Sequence, residues 1–178
     1  TNKTTSVQTK ASGTCSPTGV QITNLTHKSV DISFMTSSTC LANIQLAGKS
    51  YGDIRFSVGN KTEVPTRTHY FQVDNLTLNT NYRFTVVSGG QNFDLPSFEF
   101  LTANKPPADI PASKLAWGKV FSSPSSPAVN AIVYLNIPGA LPLSSFVTTD
   151  GNWNIPLSAS FNEAKTDWFD IPRSISED

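Results

Sequence analysis

The sequence predicts an all-β chain built from two consecutive β-sandwiches, the second of them incomplete. Three observations lead there. Short apolar runs alternate with period two, and no stretch sustains a helical period of useful length. Clusters of turn-forming residues punctuate those runs at short intervals. A stretch over 104–114 carrying Pro106, Pro107 and Pro111 then divides the runs into two sets, and its fixed φ angles and missing donors suit a semi-stiff linker.

The first set follows a lead over 1–14 that has no apolar segment and is read as flexible. The runs are GVQITNL from Gly19, SVDISFM from Ser29, LANIQL from Leu41, DIRFSV from Asp53, HYFQVDNL from His69, YRFTVV from Tyr82 and PSFEFLT from Pro96. Between them stand Asn24-Leu-Thr-His, Ser37-Ser-Thr, Tyr51-Gly-Asp, Gly59-Asn and Gly89-Gly. Short strands at this spacing are those of a sandwich. The segment HYFQVDNLTLNTNYRFTVV is the most informative. Two alternating runs flank a polar corner, so two strands are joined by a connection that crosses between sheets.

That corner reads Leu76, Thr77, Leu78, Asn79, Thr80, Asn81, Tyr82. With SPTGVQITNLTHKSVDISF before it, the stretch from about Ser16 to Thr102 resembles a fibronectin type III module, an immunoglobulin-like sandwich. The resemblance implies that Tyr82 is a corner tyrosine bonding back to nearby backbone. Thr80 would help hold the crossover, and Leu76 and Phe84 would enter the core. The family prefers Pro at the position of Leu78, and a core Trp where this chain has Phe34. Such a module is assigned to 15–103.

After the linker come WGKVFSSPSSPAVNAIVYLNIPG and LSSFVTTDGNWNIPLS. Gly118-x-Val120, Ala131-x-Val133-x-Leu135, the Asp150-Gly151 turn and Trp153-x-Ile155 resemble the carboxypeptidase regulatory-like, transthyretin-related sandwich. The resemblance covers about Leu115 to Ser158, and the second module is assigned to 115–178. Four strands are visible, with a fifth expected around Trp168 to Ile171. Half a sandwich leaves its inner face open. The expectation is therefore an apolar acceptor face of Val120, Val133, Leu135, Trp153 and Ile155, completed by partner strands or further sequence, or else loose. Trp153, Trp168, Phe169 and Ile171 are the candidate partner contacts.

Charge is balanced, with 13 Lys and Arg against 13 Asp and Glu. Nothing electrostatic favours nucleic acid or an anionic membrane. Charged residues make up 15%, below the ~25% of an average soluble protein, and Ser, Thr and Asn fill the difference, as on many extracellular β-proteins. No apolar run approaches the ~20 residues of a membrane span. Cys15 and Cys40 are 25 positions apart, with no CxxC and no nearby His, so a zinc site is implausible. A pair of buried thiols or one disulfide remains, and the two positions lie at the same end of a sandwich. A disulfide would imply an oxidising compartment.

Catalytic signatures are missing from the sequence. His27 and His69 have no acid or nucleophile at a motif spacing, so surface or structural roles are expected of them. No nucleophile elbow, zinc-protease motif or phosphate-binding loop occurs. Asp150, Asn152 and Asn154 could offer oxygens to calcium, but a plain hairpin turn is the simpler reading. Asn2, Asn24, Asn60 and Asn75 begin Asn-x-Ser/Thr sequons, read as chance matches in an Asn- and Thr-rich chain. No cofactor and no metal are expected.

These readings converge on a non-catalytic extracellular or cell-surface module that spaces or presents neighbouring parts, with protein partners, further modules or copies of itself. Two alternatives stand beside it: a filament or pilus subunit completed by strand exchange, and an accessory substrate-positioning region of a secreted hydrolase.

Overall fold

The computed structural model describes residues 14–57, 62–107 and 109–170. Among them, two sheets face each other in the N-terminal part. The first is antiparallel, in order β1 (Thr18–Thr23), β2 (Val30–Cys40), β5 (Thr66–Val73). The second runs β4 (Lys49–Gly52), β3 (Ala42–Leu46), β6 (Asn81–Ser88), β7 (Gln91–Phe93), with β8 (Glu99–Leu101) also paired to β6. Val30, Ile32, Phe34, Phe71 and Val73 from one sheet meet Ile44, Leu46, Phe84, Val86, Phe98 and Phe100 from the other. Each such side chain contributes roughly 1.5–3 kcal/mol on burial, so this core drives the fold.

Six of the seven apolar runs contain strands. DIRFSV does not. Ile54–Ser57 is one helical turn, α1. Asp53 is the cause: its Oδ1 accepts the Arg55 backbone N–H at 3.1 Å, an Asx-type start that competes with strand pairing. The strand β4 precedes it instead, in a hairpin whose turn residues Ala47 and Gly48 both have positive φ, 49° and 75°. That is the two-residue turn suited to strand twist, here without the usual Asn-Gly.

The C-terminal part is built of β-strands as well, in shorter pieces, with one 3-10 turn at Leu157–Ala159. β9 (Leu115–Lys119) pairs with β14 (Asn152–Pro156), β10 (Phe121–Ser123) with β11 (Ser126–Pro127), and β12 (Ile132–Leu135) with β13 (Leu143–Phe146). Leu143, Ile155 and Leu157 form a small core, flanked by Val133, Leu135, Trp153 and Phe169. The expected open acceptor face is therefore covered in part by the chain's own residues. Ile155 is fully buried, and Val120, Val133, Leu135 and Trp153 are half-buried. The described residues of 104–114 carry no regular secondary structure.

The two parts are packed together. Thr23, Asp31, Ser33 and Tyr70 lie on the outer face of the β1–β2–β5 sheet, as their cross-strand registers require. A free-standing sandwich would show that face to water. Here all four are buried, because β12 and β13 lie over them. Tyr134 and Ser144, directly opposite each other in the β12–β13 ladder, point to this seam. Their neighbours Val133 and Leu143 turn the other way, into the small core.

Candidate functional site

The seam holds a connected set of buried polar groups, and it is the candidate site. Asn24 follows β1 with φ +50°, a left-handed conformation that Asn tolerates. Its backbone N–H donates to the Pro142 carbonyl at 2.9 Å. Its side-chain amide then grips the backbone of Ser144 from both sides, Nδ2 donating to the carbonyl at 2.9 Å and Oδ1 accepting the N–H at 3.0 Å. One residue thus imitates a strand pairing across the seam.

Around it runs a chain of hydroxyls. The Thr23 and Ser144 hydroxyls lie 2.6 Å apart, and Ser144 Oγ lies 2.9 Å from the Tyr70 oxygen. Tyr70 donates to Asp31 Oδ2 at 2.6 Å, and Asn24 Nδ2 donates to the same oxygen. The Tyr70 proton is committed to Asp31, so Ser144 donates to Tyr70 and Thr23 donates to Ser144. Such chains polarise one another and strengthen inside a protein. Ser33 and Tyr134 form a second contact, 2.8 Å between hydroxyls. Arg55 lies over the Phe146 ring, 5.4 Å from its centre.

Burial sets the electrostatics. It raises the Asp31 carboxyl to about 6; Asp74 adds repulsion, and the bonds from Tyr70 and Asn24 offset only part of it. Burial likewise pushes the Tyr70 phenol far above its ordinary value, with Asp31 adding to the effect. Beside this set lies a cleft of about 460 Å³ between the two parts. Asp31 and Asp74 are its charged lining residues; Asn24, Gln72, Ser145 and Asn154 are among the polar ones.

A second buried polar group sits between the sheets of the N-terminal part. Asp53 pairs with Arg55, and the His69 ring lies 3.8 Å from Asp53 through Nδ1 and 3.4 Å from the Thr36 hydroxyl through Nε2. A hydroxyl, imidazole and carboxylate in a row suggest nucleophilic catalysis. The surroundings argue for a structural role. His69 packs against Phe34, 4.8 Å between ring centres, and the adjoining space is about 10 Å³, no more than one water needs. Burial lowers the His69 imidazole to about 4, Asp53 opposing and Arg55 reinforcing the effect. The ring is therefore neutral at physiological pH.

The residues singled out from the sequence lie at several places. Cys15 and Cys40 form a disulfide, 5.9 Å between Cα atoms, tying the segment before β1 to the end of β2. The Tyr82 hydroxyl accepts the Thr77 N–H at 2.9 Å, and Leu76 is buried. Thr80 donates from its hydroxyl to the Leu78 carbonyl, and its own N–H is held by the Thr102 hydroxyl. The Thr77 end of the Tyr82 bond is exposed. Trp153 lies directly across from Gly118 and packs on it; a Cβ at 118 would come within 2.9 Å of the indole nitrogen. Trp168 packs on Phe161 with tilted rings, 4.5 Å between ring centres, and is 6.3 Å from His27. Phe169 donates its N–H to the Ser160 carbonyl and packs on the small core. Ile171, with Asn2 and Asn60, lies outside the described residues.

Asp150 and Gly151 form the tight turn before β14, with φ +81° at Gly151. Among the described residues, no group of three or more His, Cys, Asp or Glu side chains could hold a metal. No described helix is long and apolar enough to cross a membrane. The seam was missed from sequence because Asp31, Ser33 and Tyr70 read as solvent-facing positions of alternating strands. Two clues were available: the large Tyr70 on a polar face, and Asn24 at the end of a strand. Compared with known proteins, the chain matches no family model and no curated sequence.

Proposed function

We propose that this chain is a non-catalytic structural and adhesion unit of the cell surface, in which a fibronectin type III-like module is coupled to a carboxypeptidase regulatory-like module at a fixed angle. Its work is to space and present what lies on either side. The observation that carries this reading is the Asn24–Ser144 clamp. Two sandwiches joined only by a linker would swivel; a backbone-like grip backed by the Thr23–Ser144–Tyr70–Asp31 chain holds them in one orientation. The polar groups beside the seam cleft are occupied with one another, which suits a joint better than a reaction centre. The disulfide is compatible with an extracellular setting. Nuclear spin relaxation tests the coupling. The two parts should tumble with one correlation time in the intact chain and separate into two when Asn24→Ala and Ser144→Gly are combined. Two independent correlation times in the unaltered chain would refute it.

One observation favours the filament reading as a second possibility. Among the described strands β9 pairs with β14 alone, which makes it an edge strand of its sheet. On it Leu115 and Trp117 are exposed, Trp117 by 75%, and Phe121 follows, exposed, on β10. The motive for strand addition thus moves from the inner face of the second part to this outer edge. The expected partner is a second copy. Sedimentation of the chain and of Trp117→Lys compares them: self-association that the substitution abolishes supports the reading, and a monomer at high concentration removes it.

A further inference from the structure

We propose that the seam is a proton-linked latch, in which closing the two parts over Asp31 takes up a proton, so that acid favours the docked arrangement and neutral pH loosens it. The inference rests on reading the seam as the coupling between the two parts. Its basis is where Asp31 sits. The residue belongs to the outer face of the β1–β2–β5 sheet, which water would cover if the C-terminal part were undocked. Docking leaves it 7% exposed, beneath β13.

The groups around it provide no positive charge. From its own sheet it meets Tyr70 and Gln72 on β5, with Asp74 just beyond; from the end of β1 it meets Asn24. From the C-terminal part come Ser144 and, beyond the Tyr70 hydroxyl, Tyr134, both neutral. Arg55 is committed elsewhere, to Asp53, Thr66 and the Thr68 carbonyl, with its plane over Phe146. Asp31 and Asp74 are the charged residues that line the cleft. Docking therefore desolvates a carboxylate beside another carboxylate.

Protonation keeps both bonds of the network, each of them weaker to a neutral carboxyl than to a carboxylate. Both bonds to Asp31, from Tyr70 and from Asn24, land on Oδ2. A proton on Oδ1 leaves Oδ2 free to accept both, and it removes the buried charge and the repulsion from Asp74. The sign follows from the direction of the shift. The docked carboxyl titrates at about 6, above its ordinary 3.8. Docking is therefore strongest below the lower value and weakens as pH rises through the higher one.

The test uses the whole chain. Carbon NMR of the aspartate carboxyls should give Asp31 a midpoint near 6. Hydrogen exchange of the Ser144 amide, which Asn24 Oδ1 accepts, should show on the order of fiftyfold more protection at about pH 4 than at about pH 7, after correction for intrinsic rates. Asp31→Asn, which keeps an acceptor for Tyr70 and Asn24, should show high protection at both pH values. An Asp31 midpoint near the ordinary value overturns the latch, as does protection at Ser144 that is high and independent of pH in the unaltered chain. These two measurements need no variant, so they decide the matter even if Asp31→Asn fails to fold. A Ser144 amide unprotected at every pH, with Ile32 and Phe71 amides protected, would overturn both the latch and the coupling beneath it.

Discussion

Tyr70 donates its phenolic proton to Asp31 from the neighbouring strand, and both residues face away from the core of the sandwich that carries them. A buried phenol and carboxylate on the outside of a sheet need a cover, and β13 supplies it through Ser144. The pair ties together alternation along β2 and β5, the packing of the two parts, and the electrostatics of the seam. Tyr70→Phe would keep the ring contact with Phe146 but leave Asp31 and Ser144 each short of a partner. The expected loss is about 1–3 kcal/mol. Chemical denaturation of the intact chain measures it, and a change below ~0.5 kcal/mol would mean that water replaces the hydroxyl without cost.

The Cys15–Cys40 bridge should make a separate contribution. It closes a loop of 25 residues around β1 and most of β2. In the chain-entropy account a loop of this size is worth about 3 kcal/mol. Reduction, or Cys15→Ala with Cys40→Ala, should lower the denaturant midpoint accordingly without changing the strand content seen by circular dichroism. Intact mass should fall by a disulfide's two hydrogens relative to the reduced chain. An oxidised sample with the reduced mass would remove the bridge and the compartment argument built on it.

At Tyr82 the expected effect is small. Its hydroxyl accepts the Thr77 N–H, and that bond lies at the surface. The same bond lowers the phenol's titration from its ordinary value, because it favours the phenolate. Tyr82→Phe returns the Thr77 N–H to water rather than stranding it, so the loss should be about 0.5–1 kcal/mol. A loss above ~2 kcal/mol would show that the corner is drier in solution than its geometry implies.

The N-terminal strands were legible because alternation has a single strong meaning where one face is core. Ile32, Phe34, Phe71, Val73, Phe84 and Val86 lie in runs read as alternating strands, and all six lie in the core. The helical turn at Ile54–Ser57 was not legible, since Ile54, Phe56 and Val58 also alternate; the Asp53 side chain outcompetes the ladder, and that is a local hydrogen bond rather than a pattern. The seam was invisible for a different reason. Period-two reasoning assigns one face to the core and the other to water, and it has no term for a second part lying on the outer face. In the second part, the small core draws on Phe169, far along the chain from the strands it covers, so counting strands overstated how open that core would be.

The His69 imidazole gives the N-terminal part a pH dependence opposite to that of the seam. It is fully buried against Phe34 and Phe71, and its value falls from 6.5 to about 4, chiefly because burial disfavours the charged ring. The unfolded chain therefore binds a proton that the folded chain refuses. Stability is complete above the unfolded value of 6.5 and is lost as pH falls from there toward about 4. The shift corresponds to about 3 kcal/mol at most, in the limit where His69 alone titrates. The His69 contribution to the urea midpoint of global unfolding should therefore drop between about pH 7 and about pH 5, offset in part by the proton that Asp31 takes up, whereas Ser144 protection should rise over the same interval. His69→Gln keeps a polar group near Thr36 and Asp53 but cannot titrate, so it should flatten the acid loss while lowering stability at neutral pH through poorer stacking. An acid loss of equal size in His69→Gln would assign it to other groups. The opposite signs make the two sites separable: acid weakens the sandwich from within while it tightens the joint on its outer face.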